Sequence, residues 1–573
     1  MNPRYGSHSS DNPSHRRIPI WVTLLIVVAI VHLAISLSAL NPAPHSGGDN
    51  TGYISLAHSL TTNASYVEIW DPAEPIHTKY PPLYPVFLAV AMLLGAETWI
   101  IFKILSVFFV TTAIVLSFSW IKNRNGLGLA LGVAVVLIFS PAFLWSSNWI
   151  LSDPLFLALT MGCLWAFHNF EKNKQSKIWI VAGCLMAILA TFTRTAGIPL
   201  VIAVGGVLLL NRSWKTLAGF SLAFAIPSLS WWLRSGRTGQ AQYMSEFWLV
   251  DPYQPDLGTA GFLDFVRRAL GNLHGYVFSY IPGGLTTWPD IFLMVIGFLI
   301  VFMAGVGYIR RFRKQITVSE LFVPLYFGLI LIWPTVWSGD RFILPLYPLV
   351  LFYAGEVLLV ETERLHTRAP LVSGVIAVLF LIVPSSQDWF GTVQRTSACR
   401  ELVKTDGPFA CYNENFQQFV VAARWLGENL PDGTSVFSRK PRFFYAISGI
   451  KSRTYPLSSD SKNFFEEAKN GDISYVVLDR IDRLGATYVA PVIMSNPEAF
   501  CSLVRVGNGE LSTQIFGIKN QMLANTKVEW NKDYDIPVGI EPCPAKMLRS
   551  EKKKLPPART LRLRIPDNPS PLD

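Results

Sequence analysis

The residues best suited to chemistry lie in one polar stretch, 46–85, close to the start of an otherwise apolar sequence. Asp49 follows two glycines there, and a carboxylate in such a position can accept a proton from an attacking hydroxyl group. Lys79 precedes a proline-rich segment and could hold a phosphate, helped by the free amide groups of a following helix. Of the four tyrosines in the stretch, Tyr53, Tyr80 and Tyr84 are candidate substrate contacts. The stretch combines a candidate base with a candidate phosphate-binding cation.

Each of the two charged residues also has an ordinary structural interpretation. Asp49 precedes the segment TGYISLAHSL, which is typical of a helix, and aspartate is a favoured helix N-cap. Lys79 could equally be an interfacial lysine beside a belt of aromatic residues. On local sequence alone, capping is the stronger interpretation of Asp49, and the two interpretations of Lys79 are balanced.

Four other charged residues lie within apolar runs or at their ends. Asp153 stands just before Pro154 and is another candidate N-cap, although a carboxylate at that depth is rare enough to be a functional candidate. Arg194 and Arg341 could neutralise a phosphate, but such side chains also snorkel towards lipid headgroups. Lys103 lies inside an apolar run, where a lone cation is costly, and is a weaker candidate for the phosphate side.

The composition indicates a membrane protein. Of the 573 residues, 51% are hydrophobic and 15% are charged, whereas soluble domains carry roughly 25% charged residues. The net charge of +10 could suggest nucleic acid. However, many of the cations lie in short loops beside apolar runs, which is typical of a topology signal, so no nucleic-acid partner is expected.

Eleven apolar runs are predicted to cross the membrane, since they approach the roughly 20 residues that a spanning helix needs. The first follows Arg16 and Arg17 and is longer than the core of a cleavable signal peptide, so it is interpreted as an uncleaved anchor with a cytoplasmic N-terminus. The predicted spans are 18–39, 98–121, 127–146, 154–170, 178–193, 195–210, 216–234, 289–309, 318–338, 342–360 and 370–386.

Charge bias sets the predicted orientation. The basic residues between the runs are Lys122, Arg124, Lys172, Lys174, Lys177, Arg212, Lys215, Arg310, Arg311, Arg313, Lys314, Arg364 and Arg368. They all face the cytoplasm only if the short apolar segment 83–94 does not cross the membrane. Its ~12 residues span about 18 Å of a core about 30 Å thick, so we expect a helix at the outer surface or one that dips in and returns.

This orientation places the candidate residues on the outer face of the membrane. The first outer loop is 41–97, and a long second loop, 235–288, lies on the same side. The residues that converge there are Asp49, Lys79, Asp153, Arg194 and Arg341.

The last third of the chain alternates helical and strand-like pieces and predicts a small α/β domain outside the membrane. The predicted elements are a helix over 416–430 and strands at 435–437, 475–478 and 513–518. Four of the six cysteines lie here, and an even number outside the cytoplasm suggests two disulfides. The expected pairs are Cys399–Cys411 and Cys501–Cys543, although four cysteines allow three pairings and free thiols are the alternative.

Five short motifs follow one another along the chain. They are GD at 48–49 with YISLA at 53–57, KYPPLYP at 79–85, LSDPLF at 151–156, ATFTRTAGI at 190–198 and DRFILPLYP at 340–348. Each is loose alone, but the ordered set resembles the GT-C membrane glycosyltransferases, and more narrowly the group with protein O-mannosyltransferases and the lipid A aminoarabinose transferase. The resemblance covers roughly residues 18–386.

The resemblance implies a fold in which an acidic residue of the first outer loop is catalytic and the donor is a polyprenyl-phosphate sugar. By matching positions, Asp49 becomes the base and Asp153 the second acidic residue. Lys79 becomes a phosphate contact and Arg341 a charge partner of the leaving phosphate. Many relatives carry Asp-Glu or Asp-x-Asp at the first motif, whereas Asn50 follows Asp49 here. A mechanism without a divalent metal is therefore favoured, and no zinc or nucleotide-binding motif is found in the sequence.

The expected organisation is a cytoplasmic tail, 1–17, a transmembrane glycosyltransferase domain, 18–386, an extracytoplasmic α/β domain, 387–545, and a disordered basic tail, 546–573. The fold is mainly α, a polytopic GT-C bundle of about eleven spans in the inner (plasma) membrane, with the C-terminal domain in the periplasm. The implied activity is inverting sugar transfer to a hydroxyl or phosphate of a protein, lipid or glycan.

Two other classes of function are open. A transporter or flippase of a lipid-linked glycan would tend to show internal repeats and charges near the midplane. No repeat is evident, and the charged candidates cluster at one face. An inactive scaffold is the other alternative, and Asn50 beside Asp49 keeps it open.

Overall fold

The computed structural model describes residues 19–96, 98–173, 175–236, 242–507, 512–519 and 540–543. The two predicted tails, 1–17 and 546–573, lie outside the described residues. So do Arg16, Arg17 and Lys174, on which part of the predicted orientation depends.

The protein is mainly helical, as expected for apolar segments that must satisfy their backbone groups internally in a bilayer. The helices up to residue 406 are α1 Ile20–Ser38, α2 Gly48–Asn63, α3 Leu83–Leu93, α4 Trp99–Asn125, α5 Leu127–Phe139, α6 Pro141–Ser147, α7 Asp153–Lys172, α8 Lys177–Thr193, α9 Ile198–Leu210, α10 Trp214–Gly236, α11 Gln242–Trp248, α12 Phe262–Gly275, α13 Ile281–Leu285, α14 Asp290–Lys314, α15 Val318–Leu331, α16 Asp340–Ile343, α17 Tyr347–Glu363 and α18 Ala369–Asp406.

Each of the eleven predicted apolar runs contains a helix. Within the described residues, six helices are long and apolar enough to cross a membrane, and the pair α5 and α6 makes a seventh if it is one span. This pair is bent by 59° next to Pro141, whose ring cannot continue a helix from the preceding turn. The chain is a multi-pass membrane protein, while the exact number of spans and their direction stay predictions.

The short apolar segment 83–94 forms α3, a helix of 11 residues. It packs against α2 and α8. Its length is well below the roughly 20 residues of a spanning helix. That α3 lies at the outer membrane surface remains a prediction.

The centre of the bundle is formed by α4 and α7. Helix α4 packs against α1, α5 and α7, and α7 packs against α8. On the other side α14 packs against α17, and α15 packs against α9. This packing brings the first turn of α7, the last residues of α8 and the short helix α16 to one end of the bundle, as the ion pairs described below establish.

A five-stranded sheet forms the centre of the C-terminal α/β domain. Its strands are β1 Ser435–Phe437, β2 Lys451–Arg453, β3 Tyr475–Leu478, β4 Phe500–Val506 and β5 Thr513–Ile518, and its helices are α19 Glu414–Asn429, α20 Pro441–Ser448, α21 Ser461–Asn470 and α22 Ala490–Ser495. The strand order is β2-β1-β3-β5-β4; β1 pairs in parallel with β2 and β3, and β5 pairs antiparallel with β3 and β4. The three predicted strands and the predicted helix are confirmed.

Both expected disulfides are present. Cys399 and Cys411 have Cα atoms 5.6 Å apart, and Cys501 and Cys543 have Cα atoms 4.8 Å apart. The first closes the turn after α18, and the second fixes the segment 540–543 beside the edge strand β4. The disulfides tie down both ends of the described part of this domain.

Helix α18 continues well past the predicted end of the last span at residue 386. Its extension contacts α1: the indole of Trp389 donates to the carbonyl of Ile35 at 3.2 Å, and Arg400 donates to the carbonyls of Leu37 and Ser38. One continuous helix therefore links the bundle to the α/β domain.

The first outer loop and the α/β domain share one hydrophobic core. Tyr53 and Trp70 of the loop belong to the same buried cluster as Phe419 and Phe443 of the domain. The amide of Ser452 on edge strand β2 also donates to the carbonyl of Trp70 at 2.6 Å. The two regions form one packed unit.

A buried carboxylic acid follows strand β3. Asp479 is fully buried, and its Oδ1 accepts a hydrogen bond from the amide of Ile481 at 3.1 Å, while no described group hydrogen-bonds to its Oδ2. Burial raises the pKa of Asp479 to about 7; Asp482 adds to the rise, and Arg439 and Lys440 oppose it.

This raised pKa predicts a pH-dependent stability. The folded protein keeps a proton on Asp479 that the unfolded chain releases above about pH 4, so the contribution of Asp479 to stability falls as the pH rises from about 4 to 7. We expect Asp479→Asn to raise the midpoint of thermal unfolding at pH 8 by about 2–4 °C and to change it little at about pH 4, where the unfolded chain also keeps about half of this proton. The exposed Asp432→Asn is the matched control. An equal shift at both pH values would contradict this account.

Candidate active site

Asp49 lies in the first turn of α2, one residue after the helix begins. Its carboxylate hydrogen-bonds to distant side chains: Oδ2 accepts from Nη1 of Arg341 at 2.7 Å, and Oδ1 accepts from the hydroxyl of Tyr80 at 2.6 Å. The capping interpretation is therefore insufficient, although a negative charge at this end of a helix is still favourable.

Arg341 connects the two aspartates. Its Nη1 contacts Asp49, and its Nε donates to Oδ2 of Asp153 at 3.0 Å. The other oxygen of Asp153 is ion-paired with Nη1 of Arg194. Four residues from four separate segments thus form a chain of alternating charge, which we call the charge chain: Asp49, Arg341, Asp153 and Arg194. The sequence analysis expected all four on one face.

Local structure explains how three of these residues reach the same place. Asp153 is the first residue of α7, and Pro154 after it is well tolerated in a first helical turn. Arg194 follows the last residue of α8 and precedes a tight turn into α9. Gly197 permits that turn, because a Cβ there would lie 2.6 Å from the backbone nitrogen of Thr191. Arg341 sits in α16, just before α17.

The predicted tyrosines form a cluster behind Asp49. The rings of Tyr53 and Tyr80 lie 4.7 Å apart, and those of Tyr53 and Tyr84 lie 4.9 Å apart. The hydroxyl of Tyr53 is 2.9 Å from that of Ser152, next to Asp153. Of the three tyrosines, Tyr80 is the one whose hydroxyl bonds to Asp49, while Tyr84 is fully buried in the core.

The environment of Asp49 keeps it ionised. Burial favours the neutral acid, but the charges of Arg341 and Arg442, with hydrogen bonds from Tyr80 and Arg341, outweigh burial and hold the pKa of Asp49 well below its usual value. Its side chain nevertheless remains 35% exposed, in contrast to 5% for Asp153. Asp49 is the carboxylate of the charge chain that a ligand can reach.

The two predicted lysines have other partners. Lys79 donates to Oε2 of Glu246 in the second outer loop at 2.6 Å, and its Nζ lies 5.2 Å from the centre of the Trp337 ring. Lys103 is 2% exposed and donates to the carbonyls of Asn41 and Ala43 at 2.8 and 2.6 Å. Through these contacts Lys103 holds the segment that leads from α1 into α2, and its weaker candidacy for the phosphate side stays a prediction.

A cavity of about 740 Å³ opens beside Asp49. It lies between the first outer loop, the second outer loop and the α/β domain, with Trp70, Tyr253 and Arg442 contributing one wall each. Lys440 also lines it and donates to the carbonyl of Ser46 at 2.9 Å. A molecule in this cavity would meet the exposed side of Asp49.

Arg442 is the functional residue that the sequence analysis missed. It lies in α20 of the α/β domain, donates to the hydroxyl of Tyr80 at 2.6 Å and comes within 3.7 Å of Asp49. Arg442 belongs to a short basic segment, 439–442, outside the apolar runs. Charges in such a segment are ordinary, whereas a charge inside an apolar run is rare enough to mark a candidate. Only its tertiary contacts distinguish it.

The charge chain contains two carboxylates, those of Asp49 and Asp153. In the part of the chain that the structure describes, no three His, Cys, Asp or Glu side chains are arranged to hold a metal ion. Instead Arg341 stands between Asp49 and Asp153 as their common cation.

No protein-family model matches the sequence, and no curated protein matches it at a significant level. Solved structures match in fold. ArnT from Cupriavidus metallidurans, bound to undecaprenyl phosphate, has a TM-score of 0.54 at 14% identity, covering 87% of this chain and 98% of ArnT. The oligosaccharyltransferase AglB from Archaeoglobus fulgidus, in complex with an inhibitory peptide and a dolichol-phosphate, has a TM-score of 0.53 at 12% identity, covering 91% and 75%. The Archaeoglobus fulgidus oligosaccharyltransferase in complex with Zn and sulfate has a TM-score of 0.51 at 14% identity, covering 84% and 71%.

At these identities the likeness concerns the fold. The expected fold, a mainly helical membrane bundle with a small C-terminal α/β domain, is confirmed, and it is like the folds of ArnT and AglB. The roles of individual residues do not follow from it.

Arg341 pairs with both Asp49 and Asp153, so its replacement is predicted to lower the stability of the protein. Arg341→Met leaves Asp153 buried with Arg194 alone, and we expect the free energy of unfolding to fall by about 1–3 kcal/mol. Adding Asp153→Asn should restore part of this loss, because a neutral amide does not need the second cation. Thermal unfolding of the purified protein measures both effects. Arg310→Met, which breaks an exposed pair with Glu361, should cost about 0–1 kcal/mol. Equal effects of Arg341→Met and Arg310→Met would contradict the prediction.

Proposed function

We propose that this protein is a membrane glycosyltransferase that moves a sugar from a polyprenyl-phosphate donor to an acceptor on the outer, periplasmic face of the inner membrane. The observation that carries the proposal is the charge chain beside the cavity, where an exposed carboxylate and two guanidinium groups meet. The fold adds support, since ArnT was solved with undecaprenyl phosphate and AglB with a dolichol-phosphate.

In the proposed reaction, the hydroxyl or phosphate oxygen of the acceptor attacks the anomeric carbon of the donor sugar. The bond from that carbon to the phosphate oxygen breaks, and the polyprenyl phosphate leaves with the electron pair. Asp49 takes the proton of an attacking hydroxyl. Direct displacement of this kind inverts the anomeric centre. The acceptor, whether protein, lipid or glycan, reaches Asp49 through the cavity.

Arg341 and Arg194 are assigned to the departing phosphate. Guanidinium groups bind phosphate oxygens through several N–H donors at once, and fixed donors of this kind stabilise the charge that develops as the bond breaks. Lys79 is assigned to the same phosphate and must then exchange Glu246 for it. Asp153 keeps both arginines in place, since it contacts each of them.

The assignment also resolves a difficulty with Asp49. A carboxylate whose pKa is held this low is a weak base in the resting protein. When the donor phosphate engages Arg341, the guanidinium shares its charge with the phosphate, and its effect on Asp49 weakens. The pKa of Asp49 then rises at the step that needs a base. Donor binding and base activation are coupled through one side chain.

The decisive experiment is transfer by the purified protein. Wild type is incubated with labelled undecaprenyl-phosphate sugars and with protein, lipid and glycan fractions of cell envelopes. Asp49→Asn should lower the rate by about 10²–10⁴-fold, the usual contribution of a general base, while Asp388→Asn, on the polar part of α18, should leave it unchanged. Unaltered transfer by Asp49→Asn would remove the assigned base. A wild type that is inert with every donor would favour a transporter, a flippase or a scaffold.

A further inference from the structure

Arg442 is held in one conformation by its surroundings. Its guanidinium lies 5.0 Å from the ring centre of Trp70 and 5.2 Å from that of Tyr80. Its Nη1 donates to the hydroxyl of Tyr80 at 2.6 Å. Its side chain is 18% exposed, at the wall of the cavity beside Asp49. Contacts with aromatic faces and a charged hydrogen bond fix an otherwise flexible side chain.

Helix α2 leaves room for this arginine. Gly52 stands three residues after Asp49, on the same face of the helix. A Cβ at Gly52 would lie 3.1 Å from both Cδ and Nη1 of Arg442, closer than ordinary van der Waals contact. A Cβ at this position would require the Arg442 side chain to shift by a few tenths of an ångström, which would disturb its hydrogen bond to Tyr80.

The chemistry of arginine fixes the direction of the hydrogen bonds. A guanidinium has donors and no acceptor, so the hydroxyl of Tyr80 accepts from Arg442. The proton of that hydroxyl is then free to point at Asp49, to which it donates at 2.6 Å. One oxygen of Asp49 is bound through Tyr80, and the other is bound by Arg341. Both oxygens of the Asp49 carboxylate are therefore hydrogen-bonded.

We propose that the α/β domain completes the active site, with Arg442 as the positioning residue that fixes Asp49 through Tyr80. The inference rests on the proposed function and extends it, since the domain then sets the geometry of the base as well as shaping the acceptor cavity. Without this domain the rest of the protein keeps Asp49, Arg341 and Tyr80 but lacks Arg442, whose hydrogen bond directs the hydroxyl of Tyr80 towards Asp49.

The kinetic test compares Arg442→Met, Tyr80→Phe and the double variant, each assayed for transfer from labelled undecaprenyl-phosphate sugar. Arg442→Met should lower kcat by about 10–100-fold, as loss of a supporting hydrogen bond does, with the KM for the donor changed by less than about threefold. The double variant should be no slower than the slower single variant, because both changes break one connection. Arg483→Met, an exposed arginine of the same domain, is the matched control.

Gly52→Ala tests the contact between Arg442 and Tyr80 in a second way. It alters neither Arg442 nor Tyr80, and it should reproduce the fall in kcat at unchanged donor KM. Wild-type kcat in Arg442→Met, or multiplicative losses in the double variant, would overturn the inference.

A thermal measurement separates this inference from the proposed function. The midpoints of unfolding of Arg442→Met, Asp49→Asn and their combination should be non-additive by about 2–4 °C. This coupling should become smaller when all three are made in a Tyr80→Phe background, where only the direct 3.7 Å contact between Arg442 and Asp49 remains. A wild type inert with every donor would overturn the proposed function, and the thermal coupling would still support the link between Arg442 and Asp49. Additive midpoints would overturn that link even in an active enzyme.

Discussion

The guanidinium of Arg341 between Asp49 and Asp153 is the interaction on which the arrangement depends. Asp153 is almost completely buried at the start of α7. A buried carboxylate is tolerated only with cations and hydrogen bonds around it. Two arginines from later parts of the chain satisfy it. Arg341 reaches further, to a carboxylate that is partly open to a cavity. Arg341 therefore both neutralises the buried Asp153 between packed helices and contacts Asp49 in the candidate active site.

The polar contacts of the charge chain extend into the α/β domain. Beyond Asp49 the hydrogen bonds pass to Tyr80 and then to Arg442. The domain is held there by a shared hydrophobic core with the first outer loop and by the long helix α18. Burial of apolar side chains thus stabilises the contact between the domain and the loop. The polar contacts set the relative orientation of the side chains, since hydrogen bonds are directional and hydrophobic burial is not.

Several features were accessible from the sequence because they depend on local patterns. The apolar runs and the strands of the α/β domain follow from periodicity and composition. The even number of cysteines suggested two disulfides, but the observed pairing was one of three that the sequence allowed. Charge bias correctly grouped Asp49, Asp153, Arg194 and Arg341, because each stands in the first outer loop or at the end of a helix. The continuation of α18 past residue 386 was missed, since its polar second half resembles the start of a soluble domain.

The sequence by itself determined which residue types were present, and it predicted that Asp49, Asp153, Arg194 and Arg341 share one face. Only the tertiary structure decided their partners. Lys103 is bound by two backbone carbonyls, and Lys79 by Glu246 from a loop 167 residues away. Arg442 reaches Tyr80 across 362 residues. Contacts of this kind depend on how packed elements place side chains within an ångström or so, and no local pattern in the chain encodes that distance.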